Sequence, residues 1–562
     1  MTSSAQQMFD AHRTTLEQAV EAIASRTFWT PYPESMRHYP EDAVKAAPTN
    51  LKALLNQPFT LTIPGSTQPV GGEVSPYGFE LGISYEQPNP DTLIAAMQGA
   101  MRAWRDAGAA ARVGVCLEIL SRLNAMSPDM AQAVMHTSGQ GPLMAFQAGG
   151  PHAQDRGLEA VAHAWQAMAQ IPATTQWVKP QGKHAPIVMD KRFHIVPRGI
   201  SLVVACSTFP TWNTYPGLFA SLATGNPVIL KPHPGAILPL AMTTRVAQQV
   251  LQEAGFDPCI VSLMPDTAEA PLTKRLALDP AVKLIDFTGS NAFGDWLVQN
   301  AAQAQVFAEK AGINSIIIDS VDDLNAVTAN LAFSLSLYSG QMCTTPQTIY
   351  VPKGGITTAQ GPLSFDDVAT ALASAVEAFL SDNDRACTVL GAVQSLETQA
   401  RIEECRGLGD IVLESEPREH LQFAKARIHT PLILKVAAEQ KAAYSEERFG
   451  PISFVVATED TGHSIALARE VIQEEGAITL AGYTTDETVA EQLEQLAMDV
   501  AAPLSLNLDG DIFVNQSAAF SDFHATGGNP AANASLCNQA FVANRFVVVQ
   551  SRRHGQPNER RV

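Results

Sequence analysis

Two periodicities divide the chain. From Asn89 to Gln170 alanine and leucine recur at 3.6-residue spacing, which predicts helices over Thr92–Ala109, Ala111–Met126, Met130–His136 and Gly157–Met168. Residues 1–60 begin with a similar helical pattern and turn Pro-rich at Trp29–Pro33. From Ile200 the period changes. Short apolar runs at Ile200–Ala205, Asn226–Lys231, Ile260–Leu263 and Val282–Phe287 read as buried strands, separated by helices over Tyr215–Thr224, Leu238–Ala254 and Pro271–Leu278. This alternation predicts an α/β fold with a parallel, doubly wound sheet. Such sheets bind ligands beyond the carboxyl ends of their strands, where the Thr-, Gly- and Lys-bearing turns fall. A second α/β region opens at Ile316–Asp319 and runs to about Leu506. A hairpin is predicted at Ile187–Met189 and Phe193–Val196, and a late strand over Phe541–Val549.

Composition narrows the class. At 562 residues the chain exceeds what one core fills, so two or three domains are expected. Hydrophobic residues make up 46% and no run approaches a membrane span, which together with the polar N-terminus predicts a cytoplasmic protein. A net charge of −19 argues against nucleic-acid binding, though helix N-termini can still hold a phosphate. The seven cysteines show no metal spacing, so no metal ligand set is expected and free thiols in a reducing compartment are.

Several segments can carry chemistry. Cys343 sits in a polar turn, Gly340-Gln341-Met342-Cys343-Thr344-Thr345, after a helix over Leu324–Leu337. A lone free cysteine is more commonly structural than nucleophilic. Phe287-Thr288-Gly289-Ser290 joins a strand to a helix and can offer backbone N–H groups to phosphate, although such turns often hold Gly and Ser for capping alone. Glu309 and Glu447 are either solvated carboxylates or groups beside a cleft; Lys231 ends a buried strand, where it would face a ligand crevice.

Taken in order, these segments resemble the aldehyde dehydrogenase superfamily from about Trp104 to Val549. The likeness rests on Ala223-Thr224-Gly225-Asn226-Pro227 through Lys231-Pro232, Phe287-Thr288-Gly289-Ser290, Glu309, Gly340-Gln341-Met342-Cys343 and Glu447-Arg448-Phe449-Gly450-Pro451, with Glu309 and Cys343 34 residues apart. The segments Ser75–Phe79, Val134–Gln140, Phe146–Gly157 and Phe209–Asn213 resemble more narrowly the PaaN branch, named for phenylacetic acid degradation.

The resemblance implies a Rossmann-type nicotinamide cofactor domain (61–180 and 198–308), a catalytic thiol domain (309–506), bridging strands (181–197 and 535–562) and an N-terminal helical extension (1–60). It implies that Cys343 attacks the aldehyde, giving a thiohemiacetal and then a thioester, and that Glu309 activates the hydrolytic water. Thr288, Gly289 and Ser290, with Phe287, would lie against the cofactor; Lys231 and Glu447 would bind its riboses, with Phe449 beside the nicotinamide. The branch implies an aldehyde of aromatic catabolism, including a CoA-linked semialdehyde.

Two departures matter. The superfamily's oxyanion asparagine aligns with Thr208, while Trp212-Asn213 lies five residues later. Threonine there is also reminiscent of CoA-acylating relatives, but those generally lack the base that Glu309 supplies, so hydrolysis is favoured. The alternatives are an acylating dehydrogenase and a catalytically silent cofactor-binding homologue. After Lys231 comes Pro232-His233 rather than a carboxylate, which tilts the expectation within NAD(P) toward NADP. The late strand resembles the tail with which family members extend a neighbour's sheet, so a homodimer or a dimer of dimers is expected. Trp212, Tyr215 and Phe520 are candidates for the substrate pocket.

Overall fold

A computed structural model describes residues 4–310 and 312–556; of the expected 1–60 extension and 535–562 strand region, residues 1–3 and 557–562 lie outside the described residues. The four apolar runs after Ile200, joined by Gln305–Glu309, which the periodicity does not mark as a strand, form a five-stranded, wholly parallel sheet in the spatial order Val261–Leu263, Val228–Lys231, Ile200–Val204, Val282–Thr288, Gln305–Glu309. Its strands are near-continuously apolar because helices cover both faces. Lys231, Thr288 and Glu309 are all last residues of their strands, so they share the sheet's carboxyl edge. Thr288 and Glu309 are register partners.

A second sheet has seven strands, ordered Asp410–Leu413, Leu432–Ala437, Ile452–Thr458, Thr348–Pro352, Ser315–Ile318, Leu480–Tyr483, Leu504–Leu506. All pairs are parallel except the first, at the edge. The thiol-bearing turn precedes Thr348–Pro352, a central strand.

The helical region begins at Pro90, because Asn89 accepts a hydrogen bond from the Thr92 N–H and proline fits the first turn. It contains one helix more than the periodicity shows, Pro142–Gly149, and its last helix starts earlier, at Pro151. The N-terminal helix Ser4–Ser25 lies on Gly108–Ala125 so closely that a Cβ on Gly114 would stand 2.5 Å from the Phe9 nitrogen. Among the described residues no helix is long and apolar enough to cross a membrane.

Two expected elements differ. The hairpin is instead one long strand, His184–Pro197, paired antiparallel with Thr174–Gln181 on one side and Phe546–His554 on the other. Asp190 to Arg192, which looked like a turn, are held in the ladder from both sides. The late strand starts at Phe546, not Phe541, because the Asn538 side chain caps a short helix, Gln539–Ala543. Buried Arg545 ties this tail to the parallel sheet through both oxygens of Asp286, at 2.5 and 2.8 Å.

Candidate active site

Cys343 is held by a turn that few residues can make. The helix Leu324–Ser336 ends, and Tyr338, Ser339 and Gly340 then all take positive φ (54°, 49° and 64°). At Gly340 only glycine fits, since a Cβ would stand 2.3 Å from the Gly450 carbonyl oxygen. The strained pair is fixed by its side chains: Tyr338 Oη donates to Ser138 O at 2.5 Å and Ser339 Oγ to Leu390 O at 3.1 Å. Beyond the turn, Asn314 Nδ2 donates to the carbonyls of Cys343 (2.8 Å) and Thr345 (3.0 Å), while its Oδ1 accepts from Ile478 N and Thr479 N. One buried amide thus pins the thiol loop to the seven-stranded sheet. Nothing in the sequence around Asn314 marks it for that task.

Across the cleft, Glu309 ends the last strand of the parallel sheet and is 3% exposed. Its Oε1 accepts from Asn213 Nδ2 at 3.3 Å and lies 3.2 Å from His524 Nε2. Its Oε2 is buried and has no hydrogen-bond partner among the described residues. His524 Nε2 is also 3.6 Å from Cys343 Sγ, so the thiol, the ring nitrogen and the carboxylate lie within 4.8 Å of one another. Burial, reinforced by the charge of Glu309, pushes the Cys343 thiol well above its usual range.

The structure brings Cys343 and Glu309 together and adds two residues the sequence reading did not place there, His524 and Asn213. His524 lies in an irregular segment with no periodicity to flag it. Its backbone exchanges hydrogen bonds with Leu536, its Nδ1 is 3.4 Å from Ser517 Oγ, and its ring meets Trp212 edge-on at 4.7 Å. That segment is fastened by Arg156, which donates to Glu159 Oε2, the carbonyls of Asp522 and Leu536, and Ser517 Oγ.

Thr208 is placed differently from expectation. Its hydroxyl donates to Cys206 Sγ at 3.9 Å, its carbonyl accepts from Gln140, and it does not line the cavity that contains the thiol. Asn213 does line that cavity. Between Phe209 and Thr214 the chain turns over on itself, with Asn213 N donating to Phe209 O, and brings the later residue to the cavity edge.

The cavity measures about 670 Å³. Phe28, Trp29, Phe209, Trp212, Phe333 and Phe513 give it an aromatic wall, and the N-terminal extension thus contributes two of its rings. Its carboxylates Glu34, Asp511 and Asp522 outnumber the arginine that lines it, Arg156, which Glu159 already neutralises, while burial pushes Asp155 well above the usual carboxylate range. Of the other two aromatic candidates, Tyr215 is buried on Thr243 and Phe520 packs against Trp29 behind the wall.

The cofactor candidates sit at the same edge. Ser290 precedes the helix Asn291–Asn300 and no side chain among the described residues caps that helix, so its first N–H groups can meet a diphosphate. Gly289 N donates to Glu309 O at 3.2 Å, and buried Phe287 packs on Phe293. Lys231 Nζ is buried and engaged by Asp266 Oδ1 and Pro232 O, each at 2.6 Å. Half-buried Glu447, pushed up by burial to about 7, and Phe449 lie in the loop that ends at Gly450, against the thiol turn. This donor set, with an ammonium, open helix N–H groups and a carboxylate, fits a dinucleotide.

Residues 84–494 match the model of the aldehyde dehydrogenase family. The structure resembles that of an NAD-dependent aldehyde dehydrogenase from Burkholderia multivorans, with a TM-score of 0.97, 53% identity and coverage of 99% of this chain and 100% of that one. A 1-pyrroline-5-carboxylate dehydrogenase from Thermus with bound NAD shares the fold at 18% identity and a TM-score of 0.72, covering 94% of this chain and 99% of its own. Aldehyde dehydrogenase LUC3 of a Fusarium species is 24% identical over 417 residues, 72% of this chain and 79% of that protein. The family match spans well over half of the sequence and includes the thiol, the carboxylate and the strand edge between them, so the chain belongs to the aldehyde dehydrogenase family, a family of enzymes.

Proposed function

We propose that the protein oxidises an uncharged aromatic or otherwise apolar aldehyde to the carboxylic acid with NAD, using Cys343 as nucleophile and Glu309 as the base of the hydrolytic step. The observation that carries this reading is the meeting of Sγ and the Glu309 carboxylate within 4.8 Å on the wall of a roomy aromatic cavity. The Cys343 sulfur adds to the carbonyl carbon and forms a thiohemiacetal. A nicotinamide cofactor, when bound, supplies the two-electron acceptor. Oxidation of the adduct leaves a thioester on Cys343. Glu309 then takes a proton from water, which attacks the thioester carbonyl and releases the acid and the thiol. The amide of Asn213, on the cavity wall, is the side-chain donor best placed for the developing oxyanion; we assign that role to it rather than to Thr208.

The aromatic wall supports an aldehyde of aromatic catabolism, as the PaaN-like segments suggest. The excess of carboxylates over cations supports a free aldehyde over a CoA-linked one, whose phosphates would be repelled. The tie between Lys231 and Asp266 supports NAD over NADP, since a 2′-phosphate would meet a carboxylate at that strand end. The names of two structural neighbours, one NAD-dependent and one with NAD bound, agree. The outer edge of Phe546–His554 leaves Val547, Val548 and Val549 41–51% exposed, which supports pairing with a second copy to give a dimer or a dimer of dimers.

Cofactor reduction with aliphatic, aromatic and CoA-linked aldehydes, with NAD or NADP and with or without CoA, tests the reading. Expected are CoA-independent turnover of aromatic aldehydes, a preference for NAD, and loss of all turnover in Cys343→Ala. Turnover only when CoA is present, or turnover that survives in Cys343→Ala, overturns it.

A further inference from the structure

The nucleophile as it stands has a proton problem. Cys343 packs against Ile478, Ala525, Ala531 and Ala532, and a carboxylate stands beside it. Both features favour the thiol over the thiolate, yet the thiolate is the species that attacks. A group must take the proton and hold it near the sulfur.

His524 has the geometry to do so. A single atom, Nε2, lies 3.6 Å from Sγ and 3.2 Å from Glu309 Oε1. The other ring nitrogen faces Ser517 Oγ at 3.4 Å, an acceptor for an N–H at Nδ1. With that tautomer, Nε2 carries a lone pair and can accept from the thiol but cannot donate to Glu309. Once it takes the thiol proton, both ring nitrogens donate, and the new N–H points into a space shared by a thiolate and a carboxylate. The ring is fixed for this exchange by Trp212 on its edge and by Arg156, which binds Ser517 and the Leu536 carbonyl on either side of it.

We propose that His524 is a catalytic residue, taking the Cys343 proton on Nε2 so that Cys343 acts as the thiolate of a Cys–His ion pair braced by Glu309. The S–H bond breaks, its electron pair stays on sulfur, and an N–H bond forms on Nε2. No net charge is created. The division of labour follows: Glu309 need not deprotonate the thiol, and its unpartnered Oε2 stays available to a water molecule. Among the described residues, the further titratable or charged groups that pack around the ring include Cys206, behind Asn213, and Arg156, over Trp212 and paired with Glu159. Asp522 accepts from Arg156 through its carbonyl and from Ala518 N through Oδ2.

The inference rests on Cys343 being the nucleophile, but its test does not use aldehyde turnover, so the two can fail separately. The pH profile of Cys343 alkylation by iodoacetamide, read by peptide mass in the full-length protein, is compared between wild type and His524→Gln. Wild type is expected to react at a near-constant rate to below pH 7. The variant is expected to lose roughly 100-fold at neutral pH and to regain rate only as its lone thiol ionises in alkali. Profiles within about twofold of each other overturn the proposal. A second measurement needs no histidine variant: the 240-nm thiolate absorbance of wild type minus that of Cys343→Ser at pH 7. One thiolate per chain, lost on alkylation, is the expected difference; none overturns the proposal.

Discussion

Asp286 and Glu309 sit on adjacent strands of the same parallel sheet, both buried, and they have opposite surroundings. Asp286 gives both oxygens to the Arg545 guanidinium, which also donates to Ser221 and Phe541 O and lies between the rings of Phe307 and Phe541 at 4.3 and 4.2 Å. Glu309 shares one oxygen between Asn213 and His524 and leaves the other bare. A buried charge with both oxygens paired to a guanidinium is a fastening, and this one joins the C-terminal tail to the sheet. A buried charge with a spare lone pair is held at a cost of about 1–3 kcal/mol or more, which a packed fold tolerates where chemistry uses it.

The comparison can be broken from either side. Glu309→Gln keeps the shape but removes the base, so steady-state turnover is expected to fall roughly 10²–10⁴-fold while a burst of one reduced cofactor per chain remains. Stopped-flow absorbance at 340 nm checks this, and loss of the burst as well would move the carboxylate to the acylation half. Arg545→Met leaves Asp286 charged and alone, and should cost about 3–5 kcal/mol in urea unfolding. Activity per folded chain should change only a few-fold. A small stability change there would mean that water reaches Asp286.

Two buried histidines sharpen the same point for groups with no charged partner. Burial pulls His136 and His163 down to about 4, and neither ring nitrogen of His163 has a partner among the described residues. The unfolded chain binds these protons first, so stability is full above about pH 6.5 and is lost as pH falls toward about 4. Each is worth about 3 kcal/mol over that window. Denaturant midpoints measured across it should show the slope, and His163→Leu should remove its share. The smallest effect concerns Glu447, intermediate between the two carboxylates. Held near 7 by burial, it should bind a ribose hydroxyl better once ionised. NAD affinity is therefore expected to rise a few-fold from about pH 6 to about pH 8, and Glu447→Gln should flatten that dependence in calorimetric titrations.

Much of the parallel sheet was legible in the sequence because strands buried on both faces are apolar throughout, and a run such as Val228–Leu230 has no other comfortable use. The carboxyl-edge placement of Lys231 and of the Thr288 turn followed from the same pattern; that of Glu309 did not, because its short strand Gln305–Glu309 is recognisable only by its pairing with Val282–Thr288. The motif order singled out Cys343 and Glu309, because a short turn and a strand end are built locally. Tertiary structure decided the rest. His524 is 181 residues from the thiol it touches, in a segment whose path depends on Arg156 and Leu536 rather than on any periodicity. Asn213 rather than Thr208 lines the cavity because side-chain direction in a non-repetitive turn is set by what packs around it. The long strand His184–Pro197 exists only because the tail arrives from far along the chain to pair with it. Local pattern determined which residues had to be buried; only the packed chain determined which buried polar groups found partners and which, Glu309 Oε2 among them, did not.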